Sequence, residues 1–299
     1  MMIKKYIILL VLLLSVTNTY SQIDILRAKI ESILSGKRAK VGVAISSLDT
    51  KDTLTVNGNE RLVMQSVFKF HIALAVMYLV EEGKLSLSQE VFVSKSELMP
   101  NTWSPLRDKY PDGNVKVSLD EILRYTVAQS DNNGCDILLK LVGGTSRVND
   151  FIHSIGVNDV LISKTEEEMH KGVDAQFANW STPIAASMLL DIFSYTYSQN
   201  KSLNHLWQIM TETTTGPKRL KGLLPEGTII AHKTGSSDTN NEGMTYAVND
   251  IGIVLLPDGR KYSIAVFVTN SYETYEDSEK IIADISKAAY DYFLNKSSK

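Results

Sequence analysis

A serine and a lysine three positions apart open the chemistry of this chain: Ser66-Val67-Phe68-Lys69. On a helix, residues i and i+3 share a face, so the ammonium reaches the hydroxyl. Residues 67–80 are apolar nearly all round, which predicts a helix buried on every side. Ser66 then stands where that helix begins. Unpaired backbone N–H groups there make the local potential positive and favour an oxyanion. Burial lowers the pKa of a lysine and favours its neutral, basic form, which suits Lys69 to activate the hydroxyl. The spacing alone is not diagnostic. Ser198-Gln199-Asn200-Lys201 repeats it in a polar stretch that reads as a loop, and a serine before a helix is often only its N-cap.

Three later segments add complementary groups. Ser130-Asp131-Asn132 supplies a hydroxyl that can relay a proton and an amide that can hold another amide, although such a tripeptide is also ordinary turn composition. Lys233-Thr234-Gly235-Ser236 ends an expected strand. A lysine there offers a fixed cation for a carboxylate, and glycine lets a ligand approach the backbone. The backbone N–H groups of Ser66 and Ser236 together would make an oxyanion hole. Thr165-Glu166-Glu167-Glu168-Met169-His170 lies in a helix-poor stretch before Trp180. A carboxylate there can activate water, or the run is simply a solvated acidic patch.

These groups need elements to hold them. Apolar spacing predicts helices at 23–34 and 276–294, and alternation predicts strands at 40–46 and 53–56. A strand is expected at 228–233, and a hairpin at 246–256 and 261–269 across Pro257-Asp258-Gly259-Arg260. Between the ends the pattern is helical. Ser118 and Glu121 have capping-box spacing for a helix to about 127, followed by helices at 136–141, 148–155, 183–195 and 203–210. The expected fold is α/β in the α+β sense: one antiparallel sheet formed from both chain ends, flanked by helices, with a mostly helical lobe inserted. A single catalytic domain would span 22–299, its α/β lobe about 22–62 and 215–299 and its helical lobe about 63–214. The cleft between the lobes is the natural ligand site.

The chain has 299 residues, 43% hydrophobic and 22% charged, which excludes disordered, collagenous and coiled-coil classes. Residues 1–21 read as a secretory signal peptide: Lys4 and Lys5, an apolar run over 6–16, then small polar residues with Thr19 and Ser21 at cleavage spacing. The apolar run is too short to span a bilayer. Export across the inner membrane, periplasmic localisation and no lasting membrane association are therefore expected. The net charge is −3, and loss of the two leader lysines takes it to −5, with no basic stripe for nucleic acid. Cys135 is the only cysteine, so no internal disulfide forms, and it reads as a small buried hydrophobe.

The order S-x-x-K, S-D-N, K-T-G is the signature set of class A β-lactamases and penicillin-binding proteins. The sequence resembles class A β-lactamases over nearly the whole mature chain, and within them the PER-type extended-spectrum branch. Further segments carry the likeness: Thr102-Trp103-Ser104-Pro105, Phe177-Ala178-Asn179-Trp180, Thr213-Thr214-Thr215-Gly216-Pro217, Leu220-Lys221-Gly222-Leu223-Leu224-Pro225 and Ala231-His232-Lys233-Thr234-Gly235. The resemblance implies hydrolysis of penicillins and cephalosporins by a monomer with no cofactor and no metal. It implies Ser66 as acylated nucleophile, Lys69 as its partner base and Ser130 as proton shuttle to the lactam nitrogen. Asn132 would hold the substrate side-chain amide. Lys233, Thr234, Gly235 and Ser236 would form the carboxylate and oxyanion contacts, with Arg219 beside them and Trp103 as an aromatic gatepost. The family pattern E-x-x-L-N is replaced by a Met-His ending, which puts the deacylating base at Glu166 and His170 beside the water, with three consecutive glutamates leaving the register open. Whether Lys69 or Glu166 deprotonates Ser66 also stays open. A penicillin-binding peptidase would share the first three motifs but lack the glutamate; a non-hydrolytic penicillin sensor would acylate and stay acylated, and the expected short cleaved leader without a transmembrane anchor argues against it; a plain serine esterase would need a G-x-S-x-G that is absent.

Overall fold

The computed structural model describes residues 22–296, so the expected leader, residues 1–21, lies outside the described residues. Helix α1 (Gln22–Leu34) leads into strands β1 (Lys40–Ser47), β2 (Asp52–Val56) and β3 (Leu62–Val63). A 3-10 turn, Gln65–Val67, opens into α2 (Phe68–Glu81). There follow β4 (Glu90–Val93), α3 (Pro105–Lys109), β5 (Val115–Ser118), α4 (Leu119–Ala128), α5 (Asn132–Val142), α6 (Thr145–Ser154) and β6 (Val160–Leu161). Short helices α7 (Glu166–His170) and α8 (Val173–Gln176) precede β7 (Trp180–Ser181), α9 (Pro183–Thr196) and α10 (Lys201–Thr211). Strands β8 (Ile230–Ser236), β9 (Thr245–Leu255) and β10 (Lys261–Ser271) and helix α11 (Tyr275–Asn295) complete the chain.

The main sheet is wholly antiparallel, in the order β2-β1-β10-β9-β8, so both chain ends build it. Its two faces bury different sets of side chains, because successive strand residues point to opposite sides. On β10, Tyr262, Ile264, Val266 and Val268 pack under α1 and α11 with Ile30, Ile281, Ile285 and Phe293. Ala265 and Phe267 join the other cluster, with Phe68, Phe70 and Phe193 from the helical region. Covering both faces explains why β9 and β10 are buried along nearly their whole length and carry the apolar runs 251–255 and 264–268. Every residue of α2 from Phe68 to Met77 is buried, including Lys69 and His71. Among the described residues no helix is long and apolar enough to cross a membrane.

Several elements depart from expectation for local reasons. Thr228 closes a turn, its N–H donating to Pro225 O at 3.1 Å, and β8 starts only at Ile230 and continues through Ser236. Residues 166–170 are helical because Thr165 caps them in a full capping box with Glu168. Ser198 and Lys201 fall on separate elements, a 3-10 turn (Tyr197–Gln199) and the start of α10, so the second S-x-x-K shares no helix face. At α4 the box is half made: Ser118 Oγ accepts from Glu121 N–H, while the Glu121 carboxylate turns to Lys109 and Tyr110. Strands β3, β6 and β7, each two residues, form a second small sheet that carries no periodicity to read.

Candidate active site

The nucleophile turn is held from three sides. Met64 N–H donates to Asn179 O at 3.0 Å, and Asn249 Nδ2 donates to Val63 O at 2.8 Å. Strand β8 passes directly against the turn. A Cβ on Gly235 would stand 2.3 Å from Met64 O and 3.2 Å from Val67 N, so only glycine lets β8 and Ser66 approach this closely. Two non-glycine residues beside the reacting hydroxyls take left-handed backbone, Gln65 at φ 48° and Ser130 at φ 60°. Such conformations cost roughly 1–3 kcal/mol each and concentrate at functional sites.

Lys69, fully buried, is the hub of the site. Its Nζ makes three hydrogen bonds: to Ser66 Oγ at 2.9 Å, Ser130 O at 2.8 Å and Asn132 Oδ1 at 2.5 Å. Glu166 Oε1 lies 2.8 Å from the same nitrogen, an ion pair off the hydrogen-bond axes, because the three donors are already committed. The ammonium of Lys233 donates to Ser130 Oγ at 2.9 Å, so two lysines converge on Ser130. Burial pushes Lys233 well below the usual lysine range, and the charge of Lys69 acts in the same direction.

Of the three consecutive glutamates, only Glu166 faces Lys69. Glu167 is exposed and pairs with Lys171 at 2.9 Å. Glu168 turns back to Thr165 N–H at 3.0 Å and Lys164 at 3.1 Å. Helix α7 is fastened to α5 by Asp136, whose carboxylate accepts the N–H groups of Glu166 and Glu167, both at 2.8 Å. Burial pushes the Asp136 carboxyl up to about 6. Asn179 closes the neck of the segment: Oδ1 accepts from Ser163 and Lys164 N–H, and Nδ2 donates to Lys164 O and Met169 Sδ.

Asp131, fully buried, caps α5 through Gly134 N–H at 2.7 Å and also accepts from Leu106 N–H and Ser104 Oγ. It therefore sets the position of Ser130 and Asn132 on either side. Asn132 Nδ2 donates to Thr102 Oγ1 at 2.6 Å. Trp103, 61% exposed, stands at the rim with its indole N–H on Gln129 O at 2.8 Å. His170 is exposed at the end of α7 and also lines the cleft.

The cleft encloses about 570 Å³ and is lined by Ser66, Trp103, Asn132, Glu166, His170, Ser236 and Tyr275 among others. Lys233, Thr234 and Arg219 are buried behind this wall. Thr234 Oγ1 meets Thr215 Oγ1 at 2.6 Å. Arg219 spends its donors on Glu279, Gly235 O, Asn249 O, Ser236 Oγ and Tyr275 Oη. Its charge reaches the cleft through two hydroxyls, those of Ser236 and Tyr275. Sequence reasoning gave no role to Asp131 or Asn179, although both lie in segments it singled out, and it missed Asp136, Asn249 and Tyr275, whose partners are distant in the chain.

The family model described as the β-lactamase enzyme family matches residues 25–293. The β-lactamase VEB-1 of Pseudomonas aeruginosa is 47% identical over 99% of this chain and 100% of its own length. The extended-spectrum β-lactamase PER-1 of the same organism is 43% identical over 96% of this chain and 94% of its own. Among solved structures, TLA-1 extended-spectrum β-lactamase shares 52% identity and a TM-score of 0.90, covering 92% of this chain and all of that one.

Proposed function

The chain belongs to the β-lactamase enzyme family, as a class A serine enzyme, and on that premise we propose that Ser66 is its acylated nucleophile and Glu166 the base that frees it. The protein hydrolyses β-lactams, the activity by which such enzymes confer antibiotic resistance. The observation that carries the residue assignment is the contact of one buried ammonium, Lys69 Nζ, with Ser66 Oγ at 2.9 Å and Glu166 Oε1 at 2.8 Å.

The reaction then runs in two halves. Ser66 Oγ attacks the lactam carbonyl, and its proton passes to the Lys69–Glu166 pair. The oxyanion is received by the N–H groups of Ser66 and Ser236, where one donor is typically worth ~10²–10³ in rate. The C–N bond breaks, and the nitrogen takes a proton from Ser130 Oγ, which Lys233 donates to and so polarises; the proton taken from Ser66 passes on from the Lys69–Glu166 pair to Ser130, which leaves Glu166 ionised. Asn132 aligns the acyl side-chain amide, and Ser236 and Tyr275, backed by Arg219, take the substrate carboxylate. Glu166 then removes a proton from water, whose oxygen attacks the ester; as the ester C–O bond breaks, that proton passes to Ser66 Oγ and restores the free serine and the ionised glutamate. Trp103 and His170 border the acyl side chain. The named activity of PER-1 and TLA-1 supports extended-spectrum hydrolysis here, including oxyimino-cephalosporins. We read residues 22–299 as one catalytic domain, exported as a monomer to the periplasm.

Glu166→Gln tests the assignment by intact mass after mixing with a chromogenic cephalosporin. A stable adduct on Ser66 is expected, with turnover down roughly 10²–10⁴-fold, the usual contribution of a general base. Turnover at the parental rate would refute Glu166 as the base.

A further inference from the structure

Helix α7 and helix α8 belong to one segment but are held differently. Asp136 and Asn179 fix α7, and with it Glu166. No residue of α8 is buried. Among the described residues, the side-chain hydrogen bond joining α8 to the body runs from Gln65 Nε2 to Gln176 Oε1, at 2.7 Å. The next residue, Phe177, stands edge-on to Tyr246 of β9 with ring centroids 5.4 Å apart. Gln65 precedes the nucleophile, is buried and takes left-handed backbone, and its amide is held by this bond. Gln65, Gln176 and residues 237–239 all border the cleft. The two contacts therefore bridge the nucleophile turn, the tip of α8 and the start of β9 across one end of the site.

We propose that Gln176 is a specificity-determining residue: its bond to Gln65, backed by the Phe177–Tyr246 contact, latches this end of the cleft, and wide acyl side chains enter only when the latch opens. The inference rests on reading the cleft as the substrate site and Glu166 as the base. Narrow acyl groups leave the latch shut. Opening it leaves Glu166 in place, because α7 keeps its own anchors on Asp136 and Asn179. The penalty on wide substrates is the loss of one net hydrogen bond, roughly 2- to 12-fold in kcat/KM.

The test compares Gln176→Ala and Gln176→Glu with the parent on benzylpenicillin and on a branched oxyimino-cephalosporin, with acyl-enzyme followed by intact mass. For Gln176→Ala the expected result is a roughly 2- to 12-fold rise in the cephalosporin-to-penicillin ratio of kcat/KM, carried by KM, with no accumulation of acyl-enzyme. Gln176→Glu keeps an acceptor for Gln65 Nε2 and should retain the parental ratio. An unchanged ratio in Gln176→Ala, the same shift in Gln176→Glu, or an accumulating adduct would each overturn the latch. Failure of the base assignment is separable: it shows as an untrapped Glu166→Gln enzyme and leaves the Gln176 ratio unaffected.

Discussion

Asp136→Asn separates what holds the active site from what holds the fold. The parental carboxylate accepts one N–H on each oxygen, from Glu166 and Glu167 at 2.8 Å. Asparagine offers one acceptor oxygen, and its NH2 group opposes the second N–H. A hydrogen bond to a charged group is worth about 1.5–3 kcal/mol, so α7 is expected to loosen and deacylation to slow by roughly 10–100-fold. Stability moves the other way with pH. The folded-state pKa is raised from 3.8 to about 6, so burying the ionised group opposes folding above pH 6, and that opposition is relieved as pH falls through 6 towards 3.8. Between pH 7.5 and 5 the parent should therefore gain about 1 kcal/mol relative to the asparagine variant, which does not titrate. That corresponds to about 2–4 °C in the difference between their melting temperatures. The assay is intact mass and stopped-flow release of a chromogenic cephalosporin, with thermal melts at the two pH values. Parental deacylation in Asp136→Asn would refute the anchoring role, and a melting difference independent of pH would refute the titration.

Two further substitutions probe the backbone around the hydroxyls. Ser130→Gly relieves the left-handed strain at φ 60° but removes the Oγ that Lys233 bonds, so thermal melting should hold or rise while acylation falls roughly 10²–10⁴-fold by burst kinetics. Gly235→Ala puts a Cβ 2.3 Å from Met64 O and must push β8 from the nucleophile turn. It should lower stability by about 1–3 kcal/mol in denaturant melts and kcat/KM by roughly 10²-fold or more. Parental activity in Gly235→Ala would mean that β8 does not set the geometry of Ser66.

What could be read in advance follows from what is local. The apolar run of α2 and the β9–β10 hairpin were legible because burial on both faces writes itself into consecutive residues. The left-handed Ser130 was not, because nothing in a serine marks positive φ. Nor were the roles of Asn179 and Asn249, single amides whose partners lie 15 and 186 residues away. Asp136 left a trace, an acid inside the apolar stretch Cys135-Asp136-Ile137-Leu138-Leu139, but the trace does not name α7 as its partner. The glutamate register is different, since its signal was present. Thr165 and Glu168 have capping-box spacing. That cap commits Glu168 to Thr165 N–H and sets the phase of α7. Successive helical residues point about 100° apart, so only one of the three carboxylates can face Lys69. With Glu168 turned back to the cap and Glu167 out to Lys171, it is Glu166 that faces it, and the cap rather than the acidity of the run selects the residue poised over Ser66.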